Sequence, residues 1–153
     1  MSTRATSPVL GIVLLLAITA ALAGTVGTVA LGTPVPSDSP RAAIDVRIDA
    51  DANRLTFVHR GGDTLDTSAL SVRVRIDGTL LDAQPPVPFF SASGFSPGPT
   101  GPFNTADDGH WTAGETASFE IARTNDPLIS AGSTVSVTVS VDGAVVTEVE
   151  QTA

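Results

Sequence analysis

The feature that most limits how this chain can fold is a long run without charge near its start. No charged residue lies between Arg4 and Asp38, and almost every residue from 9 to 31 is Val, Leu, Ile, Ala, Gly or Thr. At about 1.5 Å per residue, these roughly 23 residues would span about 34 Å as a helix, enough to cross a hydrocarbon core of about 30 Å. The run therefore predicts a hydrophobic membrane helix over residues 6–32.

Small residues are concentrated in the second half of this predicted helix. They recur at spacings of three and four, which allows apolar helices to approach each other closely. Pro is tolerated at the head of the run, because N–H groups in a first helical turn have no partner within the helix. The residues assigned to helix start, packing and assembly are Pro8, Gly11, Ala17, Ala20, Ala21, Gly24, Gly27, Thr28 and Leu31.

Residues 4–32 resemble the N-terminus of archaeal type IV pilins, particularly those of haloarchaea. The resemblance rests on Arg4, the segment Ser7-Pro8-Val9, Gly11 and a long uncharged helix that ends in the stretch from Val26 to Gly32. Residues 57–63 and 111–115 also look like segments that recur in such pilins. The resemblance implies a filament subunit whose helix forms the filament core.

The same resemblance implies a class III signal peptide, which a prepilin peptidase cuts before the helix and not after it. Residues 1–5 would be the leader, Arg4 and Ala5 would precede the cut, and Thr6 would be the mature N-terminus. Bacterial type IV pilins carry Glu as the fifth mature residue. Leu10 stands there in this chain, which agrees with the archaeal pattern.

The implied partners are further copies of the chain, the prepilin peptidase and the pilus assembly machinery. The implied location is the cell membrane for the precursor and an extracellular surface filament, supporting surface adhesion, for the assembled protein. No cofactor is expected.

A conventional signal peptide is the alternative interpretation of the apolar run. Ala21-Leu22-Ala23 before Gly24 resembles a signal peptidase site. Processing there would give a secreted β-sandwich binding module, and without cleavage the module would be singly anchored in the membrane. This alternative leaves Ser7-Pro8-Val9 unexplained.

Charge and cysteine content limit the function of the rest of the chain. From residue 33 onward there are 16 acidic residues against seven Arg, a formal net charge of −9, and the chain has neither Lys nor Cys. Such a surface repels nucleic acid and anionic lipid, so no nucleic-acid partner is expected. Self-repulsion that salt screens is typical of halophilic proteins. Without Cys, stability must come from packing.

The pattern changes after the apolar run. Three Pro residues between 33 and 40 predict an extended linker, and residues 41–153 then alternate apolar with polar positions, as half-buried strands do. Strands are predicted at 43–48, 55–59, 71–76, 79–81, 115–122, 134–141 and 144–149, with Asp-Gly turns after the third and sixth. The predicted fold is an N-terminal hydrophobic α-helix followed by an all-β domain, an antiparallel β-sandwich. An immunoglobulin-like arrangement without the Cys pair is one form of it.

Residues 85–114 form a long predicted loop that carries five aromatic residues. We expect these side chains to cap the core or to pack against a neighbouring subunit in preference to binding a ligand. They are Phe89, Phe90, Phe95, Phe103 and Trp111.

Three segments resemble parts of metal-binding or catalytic sites. Residues 49–53 resemble the start of a calcium loop, but Arg54 and Arg60 occupy the positions that require Gly and Glu, so a plain turn is predicted. His110 follows two Asp residues, where a solvated polar loop is favoured over a weak cation site. Asp63 after Gly61-Gly62 is interpreted as a bulge and turn.

No arrangement typical of catalysis occurs elsewhere in the sequence. There is no Cys-His pair, no Gly-x-Ser-x-Gly motif and no phosphate-binding glycine loop. We therefore expect no enzymatic activity, and no catalytic, cofactor-binding or metal-binding residue is assigned.

Overall fold

Helix α1 covers Thr6–Gly32 in the computed structural model, which describes residues 6–32 and 39–153 and, within α1, the side chains of residues 8–23. The chain divides into two units, one that contains α1 and one that comprises Asp38–Ala153. No helix among the described residues is both long enough and apolar enough to cross a membrane. The last part of the predicted membrane segment, residues 24–32, lies outside the described side chains.

Residues 39–153 fold into nine strands, and every strand pair is antiparallel. The strands are β1 (Ala42–Asp49), β2 (Arg54–Gly62), β3 (Leu65–Asp66), β4 (Leu70–Ile76), β5 (Thr79–Leu80), β6 (His110–Trp111), β7 (Thr116–Glu120), β8 (Thr134–Val141) and β9 (Ala144–Thr152). The prediction of a helix followed by an antiparallel β domain is confirmed.

Two main sheets enclose one hydrophobic core. The first has the order β1-β2-β7, the second has the order β5-β4-β8-β9, and β3 pairs with β6 in a third, two-stranded sheet. Every second residue of β4 is buried, and β8 shows the same alternation, so the apolar faces of both strands point to the core. The buried residues of both main sheets form one cluster, which makes the domain a β-sandwich.

Each of the two predicted Asp-Gly turns connects the two strands of a β-hairpin. Asp77 and Gly78 connect β4 to β5 with φ of 51° and 79°, and Asp142 and Gly143 connect β8 to β9 with φ of 48° and 82°. Positive φ at both central residues defines the type I′ turn, which follows the natural twist of a hairpin. The turn signals in the sequence are confirmed at both places.

The predicted loop of residues 85–114 contributes directly to the core. Four of its five aromatic side chains are buried, and Phe103 and Trp111 are fully so, while Phe90 remains 62% exposed. The Phe103 ring lies 5.1 Å from both Phe57 and Trp111, measured between centroids. Capping of the core is therefore confirmed for these four. The short strand β6 lies inside this segment and was not predicted, since two residues show no period.

A bulge interrupts the pairing of β1 with β2. Ala43 pairs with Gly61 whereas Ile44 pairs with His59, so Arg60 is the extra residue. At Gly62, with φ of 108°, a side chain would collide with the carbonyl oxygen of Arg41. The bulge predicted for residues 61–63 therefore lies just before them, at Arg60, and the chain bends at Asp63.

Candidate functional sites on the helix and in the sandwich

The described side chains of α1, at residues 8–23, are apolar on all sides of the helix apart from Thr19. The described large ones are 53% to 70% exposed: Val9, Leu10, Ile12, Val13, Leu14, Leu15, Leu16, Ile18 and Leu22. The first turn has no acidic residue and the last turn has no basic residue. A helix without a polar face requires an apolar environment around its whole circumference. Other helices or lipid chains can supply that environment.

One described hydroxyl group on α1 is satisfied inside the helix. Thr19 donates from its Oγ1 to the backbone oxygen of Leu15 at 2.7 Å. An unpaired hydroxyl in an apolar environment would cost several kcal/mol. The bond therefore lets Thr19 sit in apolar surroundings without an outside partner.

Seven of the positions assigned to packing and assembly lie on one side of α1. At about 100° of rotation per residue, helical positions 17, 20, 21, 24, 27, 28 and 31 fall within an arc of about 120°. Gly11 and Pro8 lie on the opposite side, about 140° and 160° from the centre of this arc. Six of the seven positions carry Ala, Gly or Thr and the seventh is Leu31, and we call them the small-residue face. It is where a second helix could approach α1 most closely.

The proposed processing site lies at the edge of the described residues. Arg4 and Ala5 fall outside them, and Thr6 is the first residue of α1. Residues 33–38 of the predicted linker also fall outside, as do the side chains at Gly24, Gly27, Thr28 and Leu31. Ser39 and Pro40 are described and precede β1.

Two segments that resemble recurrent pilin segments, 57–63 and 111–115, lie against each other in the sandwich. The backbone of His59 donates to the Glu115 oxygen at 3.0 Å and accepts from Gly114 at 2.7 Å. The His59 and Trp111 rings meet edge to face with centroids 5.6 Å apart. The two segments therefore form one structural junction.

The His59 side chain is fully buried at this junction. Its Nε2 lies 2.9 Å from the backbone oxygen of Asp63, so Nε2 carries the proton and donates it. Its Nδ1 has no hydrogen-bond partner, the one such buried side-chain atom among the described residues. Asp63 also exchanges two hydrogen bonds with Arg41, where the chain enters the domain. Sequence reasoning missed this site, although His59 follows the inward positions Leu55 and Phe57 at a spacing of two.

The acidic segments that resemble cation sites in sequence use their carboxylates in local hydrogen bonds. Asp49 accepts from the N–H of Ala52 at 3.0 Å, as in an ordinary turn. Asp107 accepts from the N–H of Asp108, and Asp108 accepts from that of His110. Within the part of the chain that the structure describes, no three His, Cys, Asp or Glu residues are grouped to hold a metal ion.

Helix and sandwich together define a class of protein, a β-sandwich that carries an apolar helix at its N-terminal end. Comparison with known proteins narrows this class. The family model "Archaeal Type IV pilin, N-terminal" matches residues 4–44, which include α1 and the start of β1, and this match supports a type IV pilin family.

A relative extends the similarity beyond the helix. The chain is 32% identical over 76 residues to an uncharacterized protein of Archaeoglobus fulgidus. The aligned part covers 48% of this chain and 54% of that protein, so the chain spans about half the length of the curated relative it matches.

Proposed function

We propose that this chain is a pilin, a structural subunit of an archaeal type IV pilus-like surface filament. The observation that carries the proposal is α1, whose described large apolar side chains are all exposed and which has no polar face over residues 8–23. Copies of α1 bundled together would cover these side chains, with the small-residue face allowing the closest approach. The match of residues 4–44 to the pilin N-terminal family supports the same assignment.

The proposed pathway begins at the membrane. The precursor is held in the cell membrane by its apolar segment, a prepilin peptidase removes residues 1–5, and the pilus assembly machinery adds the mature chain to the filament. The acidic sandwich then faces the medium. Its role there is structural and adhesive, without enzymatic activity, and its net charge of −9 suits a haloarchaeal environment of concentrated salt.

The position of the N-terminal cut tests this proposal directly. Intact mass and N-terminal sequencing of the native protein are expected to show a chain that begins at Thr6 and retains all of α1. The double variant Arg4→Glu/Ala5→Leu is expected to leave uncut precursor in the membrane and no filaments, because the peptidase reads the polar head before the helix. Thr3→Ala, a change elsewhere in the leader, is the matched control and should be processed normally.

The alternative is a secreted binding module, or a singly anchored one if the apolar segment is not removed. The segment Ala21-Leu22-Ala23 before Gly24 favours it. Conventional processing would give a chain that begins at Gly24, which lacks about 18 further residues, most of them apolar. A mature protein starting there, or normal processing of the double variant, would replace the pilin proposal with this one.

A further inference from the structure

The two main sheets differ in how the charged side chains on their outer faces are paired. On the β1-β2-β7 sheet, Arg60 lies 2.6 Å from Asp45 and Arg54 lies 3.1 Å from Glu120, so two of its three exposed Arg residues pair within the chain, and Arg47 is the exception. On the β5-β4-β8-β9 sheet, the exposed Arg73 and Arg75 of β4 make neither an ion pair nor a side-chain hydrogen bond with any described residue. On the outer face of this second sheet, two neighbouring positive charges therefore have no partner among the described residues.

Strand register explains why these two Arg residues stay unpaired. Arg73 lies opposite Thr138 of β8, which in turn lies opposite Glu148 of β9. In the next row, Arg75, Ser136 and Glu150 follow the same order, and Ser136 donates to Glu150 at 3.1 Å. The backbones of β4 and β9 are separated by two strand spacings, about 10 Å. We call these six residues the charged face: a basic row, a hydroxyl row and an acidic row.

This order of charges is self-complementary under only one kind of two-fold rotation. A two-fold axis that lies between two such faces and runs along β8 exchanges left for right, which puts each basic row over the acidic row of the other copy. An axis across the strands would put Arg over Arg, which is repulsive. In the favourable case residue i meets residue j and j meets i, as in every isologous contact.

We propose that the charged face is a contact between two copies of this chain, related by a two-fold axis along β8. In this contact Arg73 faces Glu148 of the second copy, and Arg75 faces Glu150 of the second copy. Thr138, in the middle row, faces Thr138 of the second copy. The contact also covers Val145, which shares the outer face opposite Ser140 and is 61% exposed.

The contact is weak on its own and acts between copies that are already close together. The three long strands β4, β8 and β9, of seven to nine residues each, make a face of roughly 14 Å by 24 Å, or about 340 Å² per copy, against about 800 Å² per partner in a standard interface. A high local concentration, in a membrane or between two filaments that lie side by side, makes such a two-fold contact effective. The inference therefore goes beyond the proposed function and does not depend on it.

The absence of Cys from the chain allows a direct test by disulfide cross-linking. The full-length chain carrying Thr138→Cys is purified in detergent at low ionic strength, oxidised, and analysed for covalent dimer. The matched control is Thr56→Cys, which lies at an equally half-buried position on the middle strand β2 of the opposite sheet. We expect at least about fivefold more dimer from Thr138→Cys. Equal yields would overturn the proposal.

Charge reversal separates the proposed contact from random collision and from association through α1. In the Thr138→Cys background, Arg73→Glu/Arg75→Glu is expected to reduce the dimer to the control yield. Adding Glu148→Arg/Glu150→Arg to the same chain exchanges the two rows completely, so it is expected to restore the dimer. Fluorescence of Trp111, the single Trp, checks that each variant is folded.

The two-fold contact is contradicted if Arg73→Glu/Arg75→Glu leaves the dimer yield unchanged. It is also contradicted if adding Glu148→Arg/Glu150→Arg does not restore the yield. Equal cross-linking of all variants, with retention on an anionic polysaccharide column that depends on Arg73 and Arg75, would assign the basic row to an acidic polymer instead.

Discussion

Helix α1 and the sandwich place their apolar side chains in opposite ways. Nine large apolar side chains of α1 are 53% to 70% exposed, whereas 23 apolar side chains of the sandwich are buried in one cluster. Covering the nine would be worth on the order of 10 kcal/mol, at about 1.5–3 kcal/mol for a fully buried side chain. Sandwich stability thus comes from within the domain, and the apolar surface of α1 is available for association.

The largest expected effect comes from the centre of the sandwich. Phe103 is fully buried and its ring contacts those of Phe57, Trp111 and Phe119. Phe103→Ala is expected to destabilise the domain by about 3–5 kcal/mol, because it removes a large apolar side chain and leaves a cavity. Urea unfolding followed by Trp111 fluorescence measures the change.

A matched truncation in α1 completes this test. Leu15→Ala removes a side chain that is 70% exposed, so the urea midpoint of the sandwich should stay within experimental error of the native chain. If Leu15→Ala lowered the midpoint as much as Phe103→Ala, the contrast between the helix and the sandwich would be wrong.

The next effect concerns assembly, not stability. Gly24→Leu places a bulky side chain on the small-residue face, and we expect filament yield to fall about tenfold, which is about 1.4 kcal/mol of lost packing per contact. Membrane association should be kept, since Leu is more hydrophobic than Gly. Electron microscopy and fractionation of producing cells measure the two quantities.

Gly11→Leu is the comparison variant for that experiment. It adds the same bulk about 140° away around the helix, so filament yield should fall much less. Equal losses from the two variants would mean that close packing is not confined to the small-residue face. Normal filaments from Gly24→Leu would mean that residue 24 faces elsewhere.

The alternation of apolar and polar residues and the Asp-Gly pairs made most of the fold predictable. The strict alternation of β8 gave its bounds correctly, and the Asp-Gly pairs gave the two type I′ turns. The first strand, predicted at 43–48, extends by only one residue at each end. Such signals are local, so a single sequence is enough to read them.

The features that sequence missed depend on contacts between distant segments. The pairing of Leu65 with Trp111 joins two strands of two residues, too short for any period to appear. The buried Asn125 bonds to the backbone of Ala83 and Gly94, and nothing near it in sequence indicates that role. The charged face likewise follows from register across three strands, which a linear pattern does not give.

Salt should affect the two regions differently. Lowering salt from about 1 M to 0.1 M lengthens the screening distance from about 3 Å to about 10 Å, so the net charge of −9 repels itself more strongly. We expect the unfolding midpoint of the sandwich, read by Trp111 fluorescence, to fall by about 4 °C, equivalent to about 1 kcal/mol. The uncharged α1 should keep its helical circular dichroism in detergent. An unchanged midpoint would remove the halophile inference.

The smallest expected effect distinguishes the rim of the sandwich from its core. Asp66 caps the short turn Thr67–Ala69 and accepts hydrogen bonds from the hydroxyl group of Ser68 at 2.6 Å and from its N–H at 2.8 Å. The hydrogen bond from the Ser68 hydroxyl group contributes most to lowering the pKa of Asp66 from its usual value of 3.8, and the bond from the Ser68 N–H contributes next. A weaker attraction to His110 also lowers this pKa.

Because this folded-state pKa is lowered, the ionised carboxylate of Asp66 stabilises the fold above about pH 4, and this contribution is lost as pH falls through the lowered pKa. Asp66→Asn should therefore be slightly less stable than the native chain at pH 7, and the two should converge in acid. Asp51→Asn, at an exposed side chain without a described hydrogen bond, is the matched control and should show no such convergence. Urea midpoints measured from pH 7 down to about pH 2 decide the matter, since a constant difference between Asp66→Asn and the native chain would show that ionisation of Asp66 is not coupled to folding.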